Sequence, residues 1–345
     1  MFKYVPSYHL QVLYSTGKPK APLAANTRQV SSKPEKILDA PDLIDDFYLH
    51  LIDWSSTNHL AVALHDSVFI WNANDGSINE LFSPEEADQD ENVVCCVSWV
   101  EEGSYLAVSS ATGSVDLWDA AESKMLRRMG GHEQRVAALA WNQHNLASGC
   151  FNGSVHLHDV RIPEHHTNTL NGHSQEVCGL AWAPNDGNYL ATGANDNLVL
   201  IYDKRNFSAP CQTLNQHQSA IKAMSWCPWH SNTLATGGGS SDRSIKFWNA
   251  STGNLLQSVD VGSQVSSLLW NTEYRELVSG HGFSHNQLTV WKYPNMTKVA
   301  DLKGHSSRYD YKFTCQNSRY KYKYILCLKL QDLVGCEKSR RFNNC

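Results

Sequence analysis

The stretch Gly172–Asp203 decides the fold. It begins Gly-His-Ser-Gln-Glu-Val-Cys-Gly-Leu-Ala-Trp and ends Asn-Asp-Asn-Leu-Val-Leu-Ile-Tyr-Asp. An Asn-Asp-Asn turn signal precedes the last of its three short apolar runs, which are Val177–Trp182, Leu190–Thr192 and Leu198–Tyr202. Short β-prone runs separated by Gly, Asn and Asp are typical of antiparallel strands. This one stretch therefore holds most of a small β-sheet.

Large aromatic residues show that the unit repeats along the chain. One series is spaced by 41 to 45 residues: Trp54, Trp99, Trp141, Trp182, Trp226 and Trp270. A second series marks the end of a later strand and is spaced by 40 to 47 residues: Trp71, Trp118, His158, Tyr202, Trp248 and Trp291. A repeat of this length with strand-like runs resembles the WD40 repeat, in which each copy forms one blade of a β-propeller.

Six repeats are clear, at 45–82, 92–129, 131–170, 172–214, 216–259 and 261–302. Gly304-His305 begins a seventh, and the pattern then stops. We therefore predict an all-β WD40 propeller over 35–308 with an atypical or incomplete last blade. Residues 1–34, rich in Lys, Pro and Ser and without a period, are expected to form a flexible arm.

The tail at 309–345 does not follow the repeat. It has eight Lys or Arg residues and three Asp or Glu residues, so it is basic. A propeller usually closes when one terminus adds a strand to the blade begun by the other, which hides the open edges. We expect Ile37–Ala40 to supply the outer strand of the last blade and the apolar run Ile325–Leu330 to supply inner strands.

Composition excludes several classes of function. A net charge of −5 gives no reason to expect nucleic-acid binding. The ten cysteines include no Cys-x-x-Cys pair, which favours reduced thiols and a location in the nucleus and cytoplasm. No apolar run is long enough to span a membrane, and the N-terminus has no signal-peptide core, so neither a membrane nor secretion is expected.

Most of the polar pattern indicates structure rather than catalysis. A complete WD40 repeat buries a hydrogen-bond chain of His, Ser or Thr, Asp and Trp, and buried polar groups need such partners. The fifth repeat has all four: His217, Thr236, Asp242 and Trp248. The fourth has three of them, with Tyr202 in the Trp position: His173, Thr192 and Asp196. The third has weaker equivalents: His132, Ser148, Asn152 and His158. The first, second and sixth repeats lack most members, so apolar packing should hold the ring.

Other short motifs lack the residues that a metal, phosphate-binding or catalytic site needs. Cys227-Pro228-Trp229-His230 resembles half of a metal site, but no second half stands at ligand spacing. Gly237-Gly238-Gly239 lacks the Lys-Ser/Thr of a phosphate loop. No Gly-x-Ser-x-Gly nucleophile motif is present. We expect no metal, no cofactor and no catalytic residue.

Several segments within about 34–308 are more specific than a generic repeat: Lys36–Asp42, Asp45–Leu49, Asp53–Ser56, Gly172–Leu180, Asn195–Leu198, Trp226–Trp229, Gly237–Arg243, Ser279–Phe283, Gln287-Leu288 and Trp291–Pro294. Together they resemble the fizzy family of anaphase-promoting-complex activators, and specifically its mitotic branch.

The resemblance implies a seven-bladed, non-catalytic propeller that captures degradation signals and presents their bearers to a ubiquitin ligase. A site for the Lys-Glu-Asn signal would comprise Asp46, Asn195, Asn197, Ser240, Gln264 and Arg308. Asp46 can pair with the peptide Lys, Arg308 with the peptide Glu, and the amides with the peptide Asn and backbone. The alternative is that Asn195 and Asn197 only cap a tight turn.

A second implied site, for the Arg-x-x-Leu signal, lies between the first and last blades. Its acidic contact for the Arg would be Asp39 and Asp42. The alternative is that both are turn residues beside Pro41.

The implied partners are the anaphase-promoting complex, degron-bearing substrates such as cyclin-like and securin-like proteins, and spindle-checkpoint proteins. Two departures from the family pattern stand out. Lys3-Tyr4-Val5-Pro6 lacks the acidic-Arg start of the family's N-terminal box, and Asn343-Asn344-Cys345 replaces the family's C-terminal Ile-Arg. A pseudo-activator that binds degrons or checkpoint partners without switching on the ligase, and a generic WD40 scaffold, remain the alternatives.

Overall fold

The computed structural model describes residues 30, 36–83, 92–184, 187–282 and 286–304, and the backbone of 327–329. The chain divides into two compact units, 1–31 and 32–345. The predicted arm at 1–34 falls outside the described residues, apart from Val30. All regular elements in the described ranges are β-strands, which confirms the all-β prediction.

A short strand, β1 (Ile37–Asp39), precedes six four-stranded sheets, which we number blades 1 to 6 in chain order. Blade 1 contains β2 (Ile52–Trp54), β3 (His59–Leu64), β4 (Ser67–Asn72) and β5 (Ile78–Phe82). Blade 2 contains β6 (Val94–Trp99), β7 (Tyr105–Ser110), β8 (Val115–Asp119) and β9 (Lys124–Met129). Blade 3 contains β10 (Val136–Asn142), β11 (Asn145–Cys150), β12 (Val155–Asp159) and β13 (His166–Leu170).

The later blades follow the same order. Blade 4 contains β14 (Val177–Trp182), β15 (Tyr189–Ala194), β16 (Val199–Asp203) and β17 (Gln212–Leu214). Blade 5 contains β18 (Ile221–Trp226), β19 (Thr233–Gly238), β20 (Ser244–Asn249) and β21 (Asn254–Asp260). Blade 6 contains β22 (Val265–Asn271), β23 (Glu276–His281), β24 (Leu288–Lys292) and β25 (Thr297–Leu302).

Every blade is an antiparallel meander in which each strand pairs with the next along the chain. The segment before the first strand and the turn between the second and third strands therefore lie at the same end of each blade, which we call the upper end. The first strands of neighbouring blades pack side by side and form the inner ring. Residues of neighbouring repeats consequently meet at the upper end.

The second strands supply the apolar core between blades. Each carries a Leu that is followed by Ala in blades 1 to 5 and by Val in blade 6. Each of these leucines is at most 2% exposed: Leu60, Leu106, Leu146, Leu190, Leu234 and Leu277. Burying one such side chain stabilises the fold by about 2 kcal/mol. The small neighbour lets the adjacent sheet approach closely, which explains why the pair recurs in every repeat.

The first aromatic series links each blade to the one before it. The indole Nε1 of Trp99 donates to the carbonyl of Asp53 at 3.0 Å, and Trp141 donates to Ser98 at 3.0 Å. The same bond recurs from Trp182 to Ala140, from Trp226 to Ala181 and from Trp270 to Ser225, at 3.0 to 3.2 Å. Each acceptor immediately precedes the corresponding Trp of the previous blade. The period in the sequence is therefore the period of an inter-blade hydrogen bond.

Buried polar chains cross blades 4 and 5. In blade 5 the His217 ring contacts Asp242 through Nδ1 and lies 2.7 Å from the Thr236 hydroxyl through Nε2. Trp248 Nε1 donates to the same hydroxyl at 2.7 Å. In blade 4 His173 makes the equivalent contacts, at 2.7 Å to Thr192 and 3.0 Å to Asp196. Each chain ties the upper turn to the middle of the sheet.

Blade 6 contradicts the expectation that its polar chain is largely missing. Trp291 Nε1 donates to Ser279 Oγ at 2.7 Å, and the same hydroxyl lies 2.7 Å from His281 Nε2. His281 Nδ1 then meets Ser263 Oγ at 2.9 Å. The histidine comes from the end of the second strand instead of the segment before the first, so an alignment of repeats does not reveal it.

Blades 1 and 2 have the tryptophan without its acceptor. Val62 and Val108 stand where blade 5 has Thr236, by the same strand register. The Nε1 atoms of Trp71 and Trp118 are buried and have no hydrogen-bond partner. Contacts with the ring faces hold these two indoles: the Lys36 ammonium lies 5.0 Å from the Trp71 centroid, and Phe82 stacks on Trp118 with centroids 4.8 Å apart.

Of the tail, the structure describes the backbone of one strand, β26 (Cys327–Lys329). It pairs with β1 in the register Ile37–Cys327, Leu38–Leu328 and Asp39–Lys329. The two strands run parallel. Neighbouring strands of a meander blade are antiparallel, so this pair departs from the arrangement seen in blades 1 to 6. The remainder of the predicted run Ile325–Leu330 lies outside the described residues.

Candidate functional site

The segment that leads into blade 1 lies against the inner ring on the side of blades 4 and 5. Phe47 packs against Cys178 and Ala220. The His50 Nε2 atom is 2.8 Å from the carbonyl oxygen of Cys178, and the buried Lys222 donates to the Leu49 carbonyl at 2.7 Å. These contacts position the residues on either side of Phe47, Asp46 and Tyr48, beside the upper ends of blades 3 and 4.

A buried ion pair anchors the site. Arg135, at the start of blade 3, donates to both carboxylate oxygens of Glu176 at 2.7 and 2.6 Å. The Glu176 side chain is 5% exposed and that of Arg135 is 28% exposed. Arg135 also reaches Asp46 at 3.5 Å and lies over the Tyr48 ring at 5.6 Å. One guanidinium thus joins blades 3 and 4 to the leading segment, as bidentate geometry allows.

Tyr48 connects the candidate residues Asp46 and Asn195. Its backbone N–H donates to Asp46 Oδ1 at 2.8 Å, and its hydroxyl donates to Asn195 Oδ1 at 3.0 Å. Burial, followed by the nearby thiol and carboxylates, raises the pKa of the Tyr48 phenol. The phenol therefore keeps its proton, and the Asn195 amide is oriented with its nitrogen toward Gln175 Oε1 at 2.9 Å.

The turn at Asn195–Asn197 also has a structural function. Asn197 has a left-handed φ of 66°, which Asn adopts more readily than most residues. Its N–H donates to the Ala194 carbonyl at 3.3 Å, while the N–H of Asn195 donates to the backbone carbonyl of Glu176 at 2.9 Å. The alternative that these residues shape the turn thus has direct support for Asn197, whereas the Asn195 side chain is partly exposed and faces Tyr48.

Two further candidate residues reach the upper end on neighbouring blades. Ser240 lies in the turn between β19 and β20 and is exposed, and Gln264 immediately precedes β22 and is partly exposed. Both positions are at the upper end by the meander topology. The structure shows no contact between them and Asp46 or Asn195 among the described residues. Arg308 lies outside the described part of the chain.

The candidate Arg-x-x-Leu residues belong to the first strand and the turn after it. Asp39 ends β1 and is partly exposed, opposite Lys329 in the strand register. Asp42 is exposed and has a φ of 61°, directly after Pro41. Proline followed by a residue with positive φ is the pattern of a type II turn. The turn alternative therefore has a specific physical basis at Asp42.

Sequence reasoning missed three residues that hold the site together. Tyr48 and Glu176 stand inside segments that carry the family resemblance, so their segments were recognised without their roles. Arg135 stands in no quoted motif, and nothing in its local pattern marks it. Its importance follows only from its contacts with Glu176 and Asp46 in three dimensions.

The described residues include one group of side chains close enough to hold a metal. His132, His156 and His158 of blade 3 each offer a ring nitrogen, and these nitrogens lie within 4.8 Å of one another. The Cys227 and His230 half-site has no such partners among the described residues. The geometry thus indicates a candidate metal site in blade 3, where the sequence predicted only a structural hydrogen-bond chain.

Buried histidines should make the protein sensitive to mild acid. Burial lowers the pKa of His281 and of His156 to about 4, against about 6.5 in an unfolded chain. Between these values the unfolded state binds protons that the folded state does not, so the free energy of unfolding falls as pH falls. We expect a slope of up to about 1.4 kcal/mol per pH unit for each such histidine, measured by urea unfolding from about pH 7.5 to about pH 4.5.

The variant His281→Gln provides the control for this acid effect. It removes one of the titrating imidazoles, so its stability should change less steeply over the same range. The lowered carboxyl pKa of Asp196 does not interfere, because its contribution is lost only as pH falls below about 4. Equal slopes for the two chains would contradict the assignment.

Comparison with known proteins gives the family. A model of the CDC20/Fizzy WD40 domain matches residues 38–320. The anaphase-promoting complex subunit cdc20 of Dictyostelium discoideum is 48% identical over 306 residues, which are 87% of this chain and 60% of that protein. The WD repeat-containing protein slp1 of Schizosaccharomyces pombe is 46% identical over 295 residues, which are 84% of this chain and 59% of that protein.

A related branch and a solved structure are also similar. Protein FIZZY-RELATED 3 of Arabidopsis thaliana is 44% identical over 294 residues, which are 85% of this chain and 59% of that protein. A chain in the crystal structure of the mitotic checkpoint complex superposes with a TM-score of 0.79 at 45% identity, covering 90% of this chain and 91% of that one. This chain spans less than two thirds of the length of these sequence relatives.

No helix long and apolar enough to cross a membrane occurs in the described ranges. The propeller repeats, the fizzy-type segments and the domain match over 38–320 all indicate the same family. The chain belongs to the CDC20/Fizzy WD40 family.

Proposed function

We propose that this chain is a substrate receptor and activator of the anaphase-promoting complex. The names of its relatives support this, because they include a subunit of that complex in Dictyostelium discoideum and "Cell division cycle 20.1, cofactor of APC complex" in Arabidopsis thaliana. The similarity to a chain of the mitotic checkpoint complex supports spindle-checkpoint proteins as further partners. Cyclin-like and securin-like proteins are the proposed substrates.

The observation that carries the proposal is the Tyr48 bridge between Asp46 and Asn195. It connects a carboxylate and an amide, from parts of the chain far apart in sequence, through the two ends of one residue. In this proposal Asp46 pairs with the Lys of a Lys-Glu-Asn peptide, and Asn195 binds the peptide Asn. Asn197, Ser240 and Gln264 contact the peptide backbone, and Arg308 pairs with the peptide Glu.

A second peptide site is proposed for Arg-x-x-Leu signals. Asp39 and Asp42 follow one another around the turn after β1, and both side chains are at least partly exposed. Two carboxylates close in sequence suit an Arg guanidinium, which is planar and always charged. The chain itself performs no chemistry in this proposal. It binds signals and presents them to the ligase.

The proposed location is the nucleus and cytoplasm. Six cysteines in the described ranges form no disulfide, and five of them are buried: Cys95, Cys96, Cys150, Cys178 and Cys227. Burial raises the pKa of Cys95 and Cys178 to about 12, so these thiols are unreactive. Such thiols support a reducing compartment.

Binding of a Lys-Glu-Asn peptide tests the receptor proposal. Asn195→Ala should weaken binding of a fluorescent Lys-Glu-Asn peptide by about tenfold or more, since it removes the amide and leaves a buried peptide group without its partner. Fluorescence anisotropy measures the affinity. Asn168→Ala, an exposed asparagine on the outer strand of blade 3, should bind like the wild type.

The outcomes separate the parts of the proposal. Equal affinity in Asn195→Ala and Asn168→Ala, or no binding by the wild type, would overturn the peptide site. Degron binding without stimulation of ubiquitin transfer in a reconstituted ligase reaction would leave a receptor and reject an activator. Binding of proteins without regard to their degrons would indicate a generic scaffold.

A further inference from the structure

Blade 3 differs from blade 5 at the three positions that complete the polar chain. The strand registers align His158 with Trp248 and His156 with Lys246. In the turn before the third strand, Asn152 replaces Asp242. Two imidazoles and an amide thus replace an indole, an ammonium group and a carboxylate. His132 stands where blade 5 has His217, and its Nε2 atom keeps the 2.7 Å contact with the hydroxyl of Ser148.

The replacement of Asp by Asn leaves ring nitrogens without partners. In blade 5 the carboxylate of Asp242 bonds to Nδ1 of His217. In blade 3 the Asn152 oxygen instead accepts from the N–H and hydroxyl of Ser154, at 2.9 and 2.7 Å. The Nδ1 atoms of both His132 and His156 are buried and have no hydrogen-bond partner, and each residue is 9% exposed. A buried polar atom in this state costs about 1–3 kcal/mol.

We propose that His132, His156 and His158 form a binding site for Zn²⁺ in blade 3. Imidazole nitrogen is a preferred ligand of this ion, and three histidines with one exchangeable position are a known coordination set. The ion would bond to the Nδ1 atoms of His132 and His156, which have no hydrogen-bond partner in the protein. This site belongs to the blade and does not depend on the peptide-binding role proposed for the upper end.

His158 differs from the other two ligands because both of its ring nitrogens have partners. Its Nε2 atom lies 2.9 Å from the Ser148 hydroxyl and its Nδ1 atom lies 3.0 Å from His165 Nδ1. Zn²⁺ would replace one of these two contacts, and Ser148 would keep its 2.7 Å contact with His132.

Two further histidines, His165 and His166, lie beside the three proposed ligands. His165 Nδ1 lies 3.0 Å from His158 Nδ1, and the His166 ring centroid lies 4.8 Å from that of His156. Outer groups of this kind orient metal-binding imidazoles. Arg127 is the cation near the outer edge of this group, beside His165.

Zn²⁺ binding requires a small movement of the rings. His132 and His156 are stacked, with centroids 3.8 Å apart and planes 14° from parallel. Zinc bonds of about 2.0–2.1 Å in a tetrahedron place ligand nitrogens about 3.3 Å apart, so nitrogens now within 4.8 Å must converge and at least one ring must tilt. Both rings have unpartnered Nδ1 atoms, so tilting breaks no hydrogen bond at those atoms.

Titration of the full chain with Co²⁺ and then Zn²⁺ tests the proposal. Co²⁺ should give the visible absorption of a tetrahedral nitrogen site without the charge-transfer bands of cysteine thiolates, and Zn²⁺ should displace it. His156→Lys installs the blade 5 residue and should weaken Zn²⁺ binding by about tenfold or more. His144→Gln changes an exposed histidine of the same blade and should bind like the wild type.

Three results would overturn the site. These are no saturable Zn²⁺ binding by the wild type, a cobalt spectrum with thiolate bands only, and equal loss of affinity in His156→Lys and His144→Gln. Circular dichroism and a melting curve establish that each variant folds. Should His156→Lys fail to fold, His156→Gln replaces it, because its amide is close to imidazole in size and carries no charge.

Discussion

Arg135→Ala is expected to lower the free energy of unfolding by about 3 kcal/mol, because it leaves a buried carboxylate without its cation. Glu176 is only 5% exposed and accepts both of its short hydrogen bonds from this one guanidinium. The same change removes the cation that lies over Tyr48 and beside Asp46. Urea unfolding monitored by tryptophan fluorescence measures the loss, and peptide affinity should fall by about tenfold as the site loosens.

A double-mutant cycle isolates the ion pair. Glu176→Gln removes the buried charge, so Arg135→Ala should cost less in that background than in the wild type. Arg135→Lys keeps the charge but cannot make the bidentate contact, so its loss should be intermediate. An Arg135→Ala variant as stable as the wild type would show that water, rather than the guanidinium, solvates Glu176.

Thr236→Val should lower the free energy of unfolding by about 2–4 kcal/mol, since two buried donors or acceptors lose their common partner. The Thr236 hydroxyl lies 2.7 Å from both His217 Nε2 and Trp248 Nε1. Valine has nearly the same shape, so the change deletes hydrogen bonds without opening a cavity. Thermal and urea unfolding measure the effect.

The opposite change at the matched position of blade 1 provides the control. Val62→Thr places a hydroxyl where the buried Trp71 Nε1 has no partner, and should raise the free energy of unfolding by up to about 1 kcal/mol. Opposite signs at two equivalent positions cannot come from β-propensity or size. If Val62→Thr and Thr236→Val were equally destabilising, the hydrogen-bond explanation would be rejected.

The sequence was sufficient for the architecture because the architecture is repetitive. Trp54 and its five successors recur at nearly constant spacing, since each of the later ones donates to the preceding blade at one fixed position. The Leu-Ala pairs recur because every blade packs against the next in the same way. A constraint that is repeated with the same geometry leaves a period that can be read without coordinates.

The sequence was less informative where a repeat had changed. The His281 chain of blade 6 escaped detection because its histidine comes from a different strand. In blade 3 the positions of His132 and His158 were recognised, but the two Nδ1 atoms without partners depend on where the Asn152 oxygen points. Such outcomes depend on side-chain directions, which a period does not contain.

The same distinction between sequence and tertiary structure applies to the candidate site. Sequence alone determined that Asp46, Asn195, Ser240 and Gln264 stand beside strand ends of a propeller, and the family segments marked most of them. Only the tertiary structure decided that Tyr48 joins Asp46 to Asn195 and that Arg135 supports them through Glu176. The physical reason is that the period identifies equivalent positions but not the side chains that bond there: Arg135 and Glu176 are 41 residues apart, just before the first strands of neighbouring blades, and their ion pair depends on side-chain identity and direction.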